Sequence, residues 1–138
     1  MQQSNFGTQH AMITNTLSRY AWAYDMNEMD LMNQCFAREA RVIFPSGPQC
    51  GREAVVGELR RMRASYGPQQ TPWHVISNVF VQTLTPNEAA VKSWFSFDIK
   101  DKGEPMELNS FGWYDDIFVA EDGDWRVSTR RVLANDQR

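Results

Sequence analysis

The chain has 138 residues, of which 42% are hydrophobic, 22% charged and 12% aromatic, with a net charge of −3 and pI ≈ 5.3. That length suits one domain spanning residues 1–138 with a real core, and the acidic balance excludes sequence-independent nucleic-acid binding, which needs a basic surface. No apolar run approaches a membrane span, Met1 to Tyr20 lacks the apolar stretch of a signal peptide, and Cys35 and Cys50 form no metal or redox motif, so reduced thiols and a cytoplasmic protein are expected.

Residues 1–7 are polar and read as a frayed tail. A helix is expected from Thr8, a possible N-cap. Ile13, Leu17, Tyr20 and Tyr24 follow at helical spacing and mark its buried face, widened by Met12 and Ala21. Asp25 closes this helix. An acid at a helix C-terminus is locally unfavourable, which singles Asp25 out for another role; the plainer alternative is a carboxylate reaching water. Asn27 to Asp30 reads as a turn into a short second helix with Leu31, Met32, Cys35 and Phe36 on its apolar side. A first strand over Ala40 to Phe44 stops at Pro45 and the turn Ser46-Gly47-Pro48. A third helix spans Arg52 to Tyr66, with Val55, Val56, Leu59 and Met62 inward and Arg60, Arg61 and Arg63 read as a solvated face.

Beyond Gly67 the pattern is all strand. Four are expected: Trp73 to Leu84, Ala89 to Lys100, Glu107 to Ala120 (bent or bulged near Gly112) and Trp125 to Leu133. Thr85-Pro86-Asn87-Glu88, Asp101-Lys102-Gly103 and Glu121-Asp122-Gly123-Asp124 supply the turns. Three early helices and a late antiparallel meander make an α+β domain. Its sheet curves around the helices and leaves a hollow between them. The generous aromatic content suits an apolar cavity walled by rings.

Only two histidines are present, and His10 lies near the polar N-terminus. His74 is therefore the one well-placed side chain suited to proton exchange near neutral pH. Strict alternation puts His74, Ile76, Asn78 and Phe80 on one face of their strand. Asp25 is the candidate partner, with Tyr20, Trp22 and Tyr24 beside it on the same helix end. A histidine buried and satisfied by backbone is the competing structural reading. Trp113, Tyr114 and Asp115 sit mid-strand and are candidates for the same hollow; Asp115 equally suits an ion pair with Arg130 or Arg131. Asp98 is a further candidate, against the default of a solvated strand face. There is no G-x-S-x-G, phosphate loop, H-E-x-x-H or Cys/His cluster. What remains is acid–base chemistry without metal or organic cofactor, in which a carboxylate fixes the tautomer of a histidine that takes and returns a proton.

Three local motifs, with the element order, resemble the nuclear-transport-factor-two-like superfamily. They are Tyr20-Ala21-Trp22-Ala23-Tyr24-Asp25 with Met29-Asp30-Leu31; Trp73-His74-Val75-Ile76-Ser77-Asn78; and Gly112-Trp113-Tyr114-Asp115-Asp116-Ile117-Phe118 with Asp122-Gly123-Asp124-Trp125-Arg126-Val127. The nearest branch is the SnoaL-like one, which includes scytalone dehydratase and hexachlorocyclohexane dehydrochlorinase. The resemblance implies a conical fold, a cofactor-free elimination, isomerisation or cyclisation of a small, mostly apolar cyclic substrate, and a homo-oligomer, trimer or dimer. It matches Asp25 and His74 to that branch's acid–histidine pair and Tyr24 to one of two substrate-polarising tyrosines. Phe44 stands where the second tyrosine falls and has no hydroxyl. A second pocket histidine has no counterpart unless Asp98 replaces it. The site expected is thus Asp25 and His74 as catalytic pair, with Tyr20, Tyr24, Phe44, Asn78, Asp98 and Trp113 lining the substrate. The same fold also serves non-catalytically, as a ligand-binding or assembly module such as the small subunit of ring-hydroxylating dioxygenases.

Overall fold

A computed structural model describes residues 5–107 and 110–134. Helix α1 (Phe6–Asp25) is followed by a 3-10 helix (Met29–Gln34), strands β1 (Phe36–Phe44) and β2 (Gly47–Cys50), and helix α2 (Arg52–Ala64). Four long strands complete it: β3 (Gln70–Leu84), β4 (Glu88–Asp101), β5 (Ser110–Glu121) and β6 (Asp124–Ala134). They form one six-stranded sheet in the order β2-β1-β6-β5-β4-β3. The fold is α+β, as the pattern predicts: N-terminal helices against a curved, unclosed sheet.

Several boundaries differ from the sequence expectation. α1 begins at Phe6 rather than Thr8, so Phe6 and Gly7 are helical; residues 1–4 of the expected tail lie outside the described residues. The turn after Pro45 continues into β2, which hairpins onto β1 with Phe44 opposite Gly47. β1 in turn pairs parallel with β6, so the sheet is not wholly antiparallel. The third expected strand begins at Ser110; Leu108 and Asn109 lie outside the described residues.

The core forms where α1 and α2 meet the concave face. Ile13, Leu17, Tyr20 and Tyr24 are all buried, with Ala23 in place of the expected Ala21. Phe36, Val42, Val55, Leu59, Val91, Phe118 and Val127 complete the contact from the strands and α2. The Thr16 hydroxyl donates to the Trp125 carbonyl at 2.6 Å, tying α1 to β6. Trp22, expected beside the site, points outward and is 57% exposed.

Of the sheet's register slips, two bear on the site, and neither lies at Gly112. In β3 the pairing with β4 slips between Ser77 and Phe80, where Asn78 adopts φ 53. An extra residue in a strand reverses the alternation beyond it. His74 and Ile76 therefore face inward before the bulge, and Val79 and Val81 after it. In β6 the register slips between the pairs Ile117–Thr129 and Phe118–Val127. Trp125 and Val127 are buried ahead of that slip, and Arg130 beyond it. Gly112 instead allows a close approach. It sits opposite Phe95 in regular pairing, and a Cβ there would lie 2.6 Å from the Phe95 ring. At the β5–β6 hairpin, Asp122 and Gly123 take φ 53 and 75, the left-handed pair of a tight two-residue turn.

Candidate active site

β3 is an edge strand, so alternate N–H groups along it have no ladder partner. The C-terminal end of α1 meets one of them. Asp25 Oδ2 accepts the His74 backbone N–H at 2.8 Å, and Asp25 Oδ1 lies 2.7 Å from His74 Nδ1. The two side chains are 11% and 7% exposed. This two-point contact assigns Nδ1 as the protonated ring nitrogen of neutral His74 and directs Nε2 away from the carboxylate.

Three rings pack on the imidazole. Phe97, opposite His74 in the β3–β4 pairing, lies 4.5 Å away between centroids; Tyr24 and Tyr20 meet it edge-on at 5.3 and 5.7 Å. The Tyr24 and Tyr66 hydroxyls are 2.6 Å apart. One proton serves that bond, which leaves the other hydroxyl proton free to donate elsewhere. Burial first, and then the Tyr66 hydrogen bond, push the Tyr24 phenol well above its ordinary range, so it is a donor and not a phenolate. Burial also raises Tyr66.

Arg63 of α2 turns inward from the face expected to be solvated. Its Nε donates to the Tyr24 carbonyl at 2.7 Å and its Nη2 to the Asp25 carbonyl at 3.2 Å. Its charge offsets the unfavourable placement of an acid at a helix C-terminus. Arg60 and Arg61 remain on the outside, paired with Asp30 and Glu58.

Deeper along the concave face lies a buried ion pair. Arg130 Nε and Nη2 each donate to Asp116 at 2.8 Å, and the guanidinium carbon stands 3.8 Å from the Tyr114 centroid and 4.8 Å from that of Tyr20. Burial works against the Arg130 charge, but Asp116 outweighs it and holds the guanidinium protonated. Burial lifts the Asp116 carboxyl, with the Arg130 charge pulling the other way. Tyr20 and Tyr114 are likewise raised by burial. The interior beside the dyad is therefore not purely apolar. Sequence alternation does not reveal this pair, because the slip in β6 places Arg130 inward and aligns it with Asp116, whereas Asp115 pairs with Lys92 on the outer face at 3.0 Å.

Of the eight expected site residues, the structure gathers Asp25, His74, Tyr20 and Tyr24. Phe44 is a buried core residue at the end of β1. Asn78 is exposed, because the bulge it forms breaks the alternation that would have aimed it inward. Asp98 aligns with Trp73 on the opposite face from His74, where its Oδ2 accepts the Glu107 backbone N–H at 2.8 Å. It braces the β4–β5 connection instead of replacing a pocket histidine. Trp113 also belongs to the outer face, opposite Trp94 and under the Lys92 ammonium at 5.7 Å. Only Asn78 is re-aimed by a bulge; Asp98 and Trp113 sit in regularly paired stretches of β4 and β5, on the face that alternation puts opposite Phe97 and Tyr114.

A cleft of about 620 Å³ lies elsewhere, lined by Phe6, Gln9, Met12, Leu84, Pro86 and Trp125 at the far end of α1. Among the described residues no three His, Cys, Asp or Glu side chains converge as a metal site requires.

The family model of the SnoaL-like domain matches residues 8–131. The chain belongs to this family. No curated protein matches its sequence. Among solved structures, the fold is similar to a protein from Novosphingobium aromaticivorans assigned as a scytalone dehydratase, at 22% identity and TM-score 0.80, covering 98% of this chain and 89% of that one. LinA superposes at TM-score 0.81 with 15% identity, over 98% of this chain and 91% of LinA. The beta subunit of a Novosphingobium aromaticivorans protein assigned as an aromatic-ring-hydroxylating dioxygenase superposes at 0.74 with 12% identity, over 96% and 92%. At these identities the likeness is one of fold. The described residues contain no helix long and apolar enough to cross a membrane.

Proposed function

We propose that this SnoaL-like protein is a cofactor-independent lyase or isomerase, of the dehydratase or cyclase type, acting on a small, mostly apolar cyclic substrate. The observation that carries the reading is the double contact of Asp25 with His74, at 2.7 and 2.8 Å. A structural histidine needs only one partner; here the carboxylate fixes both ring and backbone and leaves Nε2 for a substrate. The naming of one structural neighbour as a scytalone dehydratase agrees with this chemistry.

In the proposed reaction, His74 Nε2 takes a proton from the carbon next to a carbonyl. The C–H electron pair becomes a carbon–carbon double bond, and the carbonyl π pair moves to oxygen. Asp25 stabilises the imidazolium. In an elimination the pair returns, the bond to a β-hydroxyl breaks, and the departing oxygen leaves as water with the proton from Nε2. In an isomerisation the same proton returns to a different carbon. Tyr24 or Tyr66 donates a hydrogen bond to a substrate oxygen.

The test is a panel of cyclic β-hydroxyketones and enolisable ketones, followed by absorbance of the conjugated product and by solvent deuterium uptake. His74→Ala and Asp25→Asn should each lower turnover by about 10²–10⁴ with the fold retained. Full activity in either variant sinks the mechanism.

The outer sheet face favours a companion proposal, that the protein is a homo-oligomer, dimer or trimer. Trp73, Val75, Phe80, Trp94 and Phe111 are 40–56% exposed there, on β3, β4 and β5. Contiguous apolar surface of this kind marks an interface. The same face, with the likeness to a dioxygenase beta subunit, supports the non-catalytic reading. Light scattering separates them: a stable homo-oligomer supports the free-standing enzyme, whereas a protein soluble only with a large partner chain supports the subunit. A cytoplasmic location, argued from the free thiols Cys35 and Cys50, is part of the proposal.

A further inference from the structure

At the end of α1 remote from the dyad, a cleft of about 620 Å³ opens between the first turns of the helix and the turns that join β3 to β4 and β5 to β6. Gln9 and Asp25 stand about 24 Å apart along the helix axis, at about 1.5 Å of rise per residue. Phe6 and Met12 from α1, Leu84 from the end of β3 and the Trp125 indole from β6 supply the apolar walls. Phe6 is 48% exposed, so its ring borders the cleft with about half its surface uncovered. The volume lies within the range of small-molecule pockets, about 300–1,000 Å³.

Two polar groups of the lining are already committed. Asp124 Oδ2 accepts from Arg19 at 3.0 Å and its Oδ1 from the Trp125 backbone N–H at 2.8 Å, so the carboxylate is paired. The Thr85 hydroxyl accepts the Asn87 and Glu88 N–H groups within its own turn. Gln9 differs. Its Oε1 accepts the Trp125 indole N–H, which fixes the orientation of the amide. Both hydrogens on Nε2 are left without an acceptor among the described residues.

We propose that this cleft is a second ligand site, taking a neutral, flat molecule of fused rings that carries a carbonyl oxygen for the Gln9 amide. Three features select that class. Phe6, Trp125 and Met12 favour flat apolar surface, through ring stacking and sulfur–ring contact. Asp124 is paired with Arg19, so an ionised ligand finds no free counter-charge, and burying a charge unpaired is costly. The Gln9 amide nitrogen donates, so the ligand must present an acceptor. The site is independent of the dyad, because Asp25, His74, Tyr20 and Tyr24 take no part in its walls.

The probe is fluorenone, three fused rings with one carbonyl and no enolisable position, compared with fluorene, which lacks the oxygen. Each is titrated into the full chain and followed by nitrogen–proton correlation spectra. The Trp125 indole N–H should shift, its resonance identified by its displacement in Gln9→Leu. Fluorenone should bind about two- to tenfold more tightly than fluorene, the net worth of one hydrogen bond. Gln9→Leu should erase that difference and leave fluorene binding unchanged. Ala120→Trp, at an exposed position of the lining, places an indole in the cleft and should abolish binding of both. His74→Ala should leave both affinities as they are.

An unmoved Trp125 indole at the solubility limit of fluorenone, equal affinity for the two probes, or a preference that survives Gln9→Leu overturns the proposal. So does binding that persists in a folded Ala120→Trp, because the ligand would then sit elsewhere; its loss in His74→Ala would locate it beside the dyad. Should Ala120→Trp not fold, the Gln9→Leu comparison decides alone. None of these results bears on the proposed function, which is decided by turnover in the dyad variants.

Discussion

Arg63 holds Asp25 from behind, through the backbone carbonyl, while the Asp25 carboxylate reaches forward to His74. The guanidinium spans the last two carbonyls of α1, at 2.7 Å to Tyr24 and 3.2 Å to Asp25, and also lies 5.5 Å from the Tyr66 centroid. One side chain therefore supports the acid, the tyrosine pair and the end of the helix. Arg63→Ala should cost about 0.3–2 kcal/mol of stability, the range for a cation at a helix C-terminus. Arg63→Lys should recover part of it, since an ammonium replaces the charge but not the two-pronged geometry. Thermal unfolding of the three proteins reads this directly. Equal midpoints would mean that the contact contributes nothing.

Gly112 exists for close approach. A Cβ there would fall on the Leu133 carbonyl oxygen and 2.6 Å from the Phe95 ring. The first obstacle is backbone and cannot rotate away. Gly112→Ala should destabilise by about 1–3 kcal/mol, the cost of forcing an extra group into a packed interior. Because Phe95 stacks on Tyr114, the strain should also be seen in the near-ultraviolet circular dichroism of the aromatic wall. An unchanged melting temperature would show that β5 and β6 part more easily than the pairing suggests.

The four tyrosines give a pH signature. Tyr20, Tyr24, Tyr66 and Tyr114 are all raised above the ordinary phenol value, in every case chiefly by burial. In the unfolded chain they ionise near pH 10. A group with a raised folded pKa contributes stability that is fully present below its unfolded pKa, and that is lost as pH rises through the folded value. Stability should thus begin to fall near pH 10, and tyrosinate absorbance should appear together with loss of structure. A full equivalent of tyrosinate in the folded protein at about pH 10 would sink this account.

The helical face, the four long C-terminal strands and the Asp25–His74 pair are legible in the sequence, because each depends on local periodicity or on residues unusual for their place; the short β2 is not, since Gly47 and Pro48 read as a turn. An acid at a helix end and a lone histidine opening a strand are visible as anomalies. Strict alternation misplaces Asn78, because facing depends on strand parity, and parity depends on where one extra residue enters the sheet; Asp98 and Trp113 lie in regularly paired stretches and keep the outward parity that alternation gives them. The bulge at Asn78 has a faint signal, an asparagine able to take a positive φ. The slip in β6 has none, and so the pairing of Arg130 with Asp116 stays hidden among the seven charged residues of β5 and β6. Arg63 is hidden for another reason: its partners are carbonyls of a distant helix, which no local pattern encodes.

The cysteines separate by burial. Cys35 is 0% exposed at the end of the 3-10 helix, and burial pushes its thiol up to about 12; Cys50 is exposed on β2. The thiolate is the reactive form, so Cys35 is protected both by access and by protonation. At neutral pH an alkylating reagent should modify one thiol quickly, and peptide mapping should locate it at Cys50. Cys35 should react only through opening of the fold, more than about 10³-fold slower, given ordinary domain stability. Denaturant should bring the two rates together. Rapid modification of both thiols in the native protein would mean that the junction of the 3-10 helix with β1 opens readily. That opening would also loosen the contact between Cys35 and Val127, where the Val127 N–H donates to the Cys35 carbonyl at 2.9 Å and anchors β1 against β6.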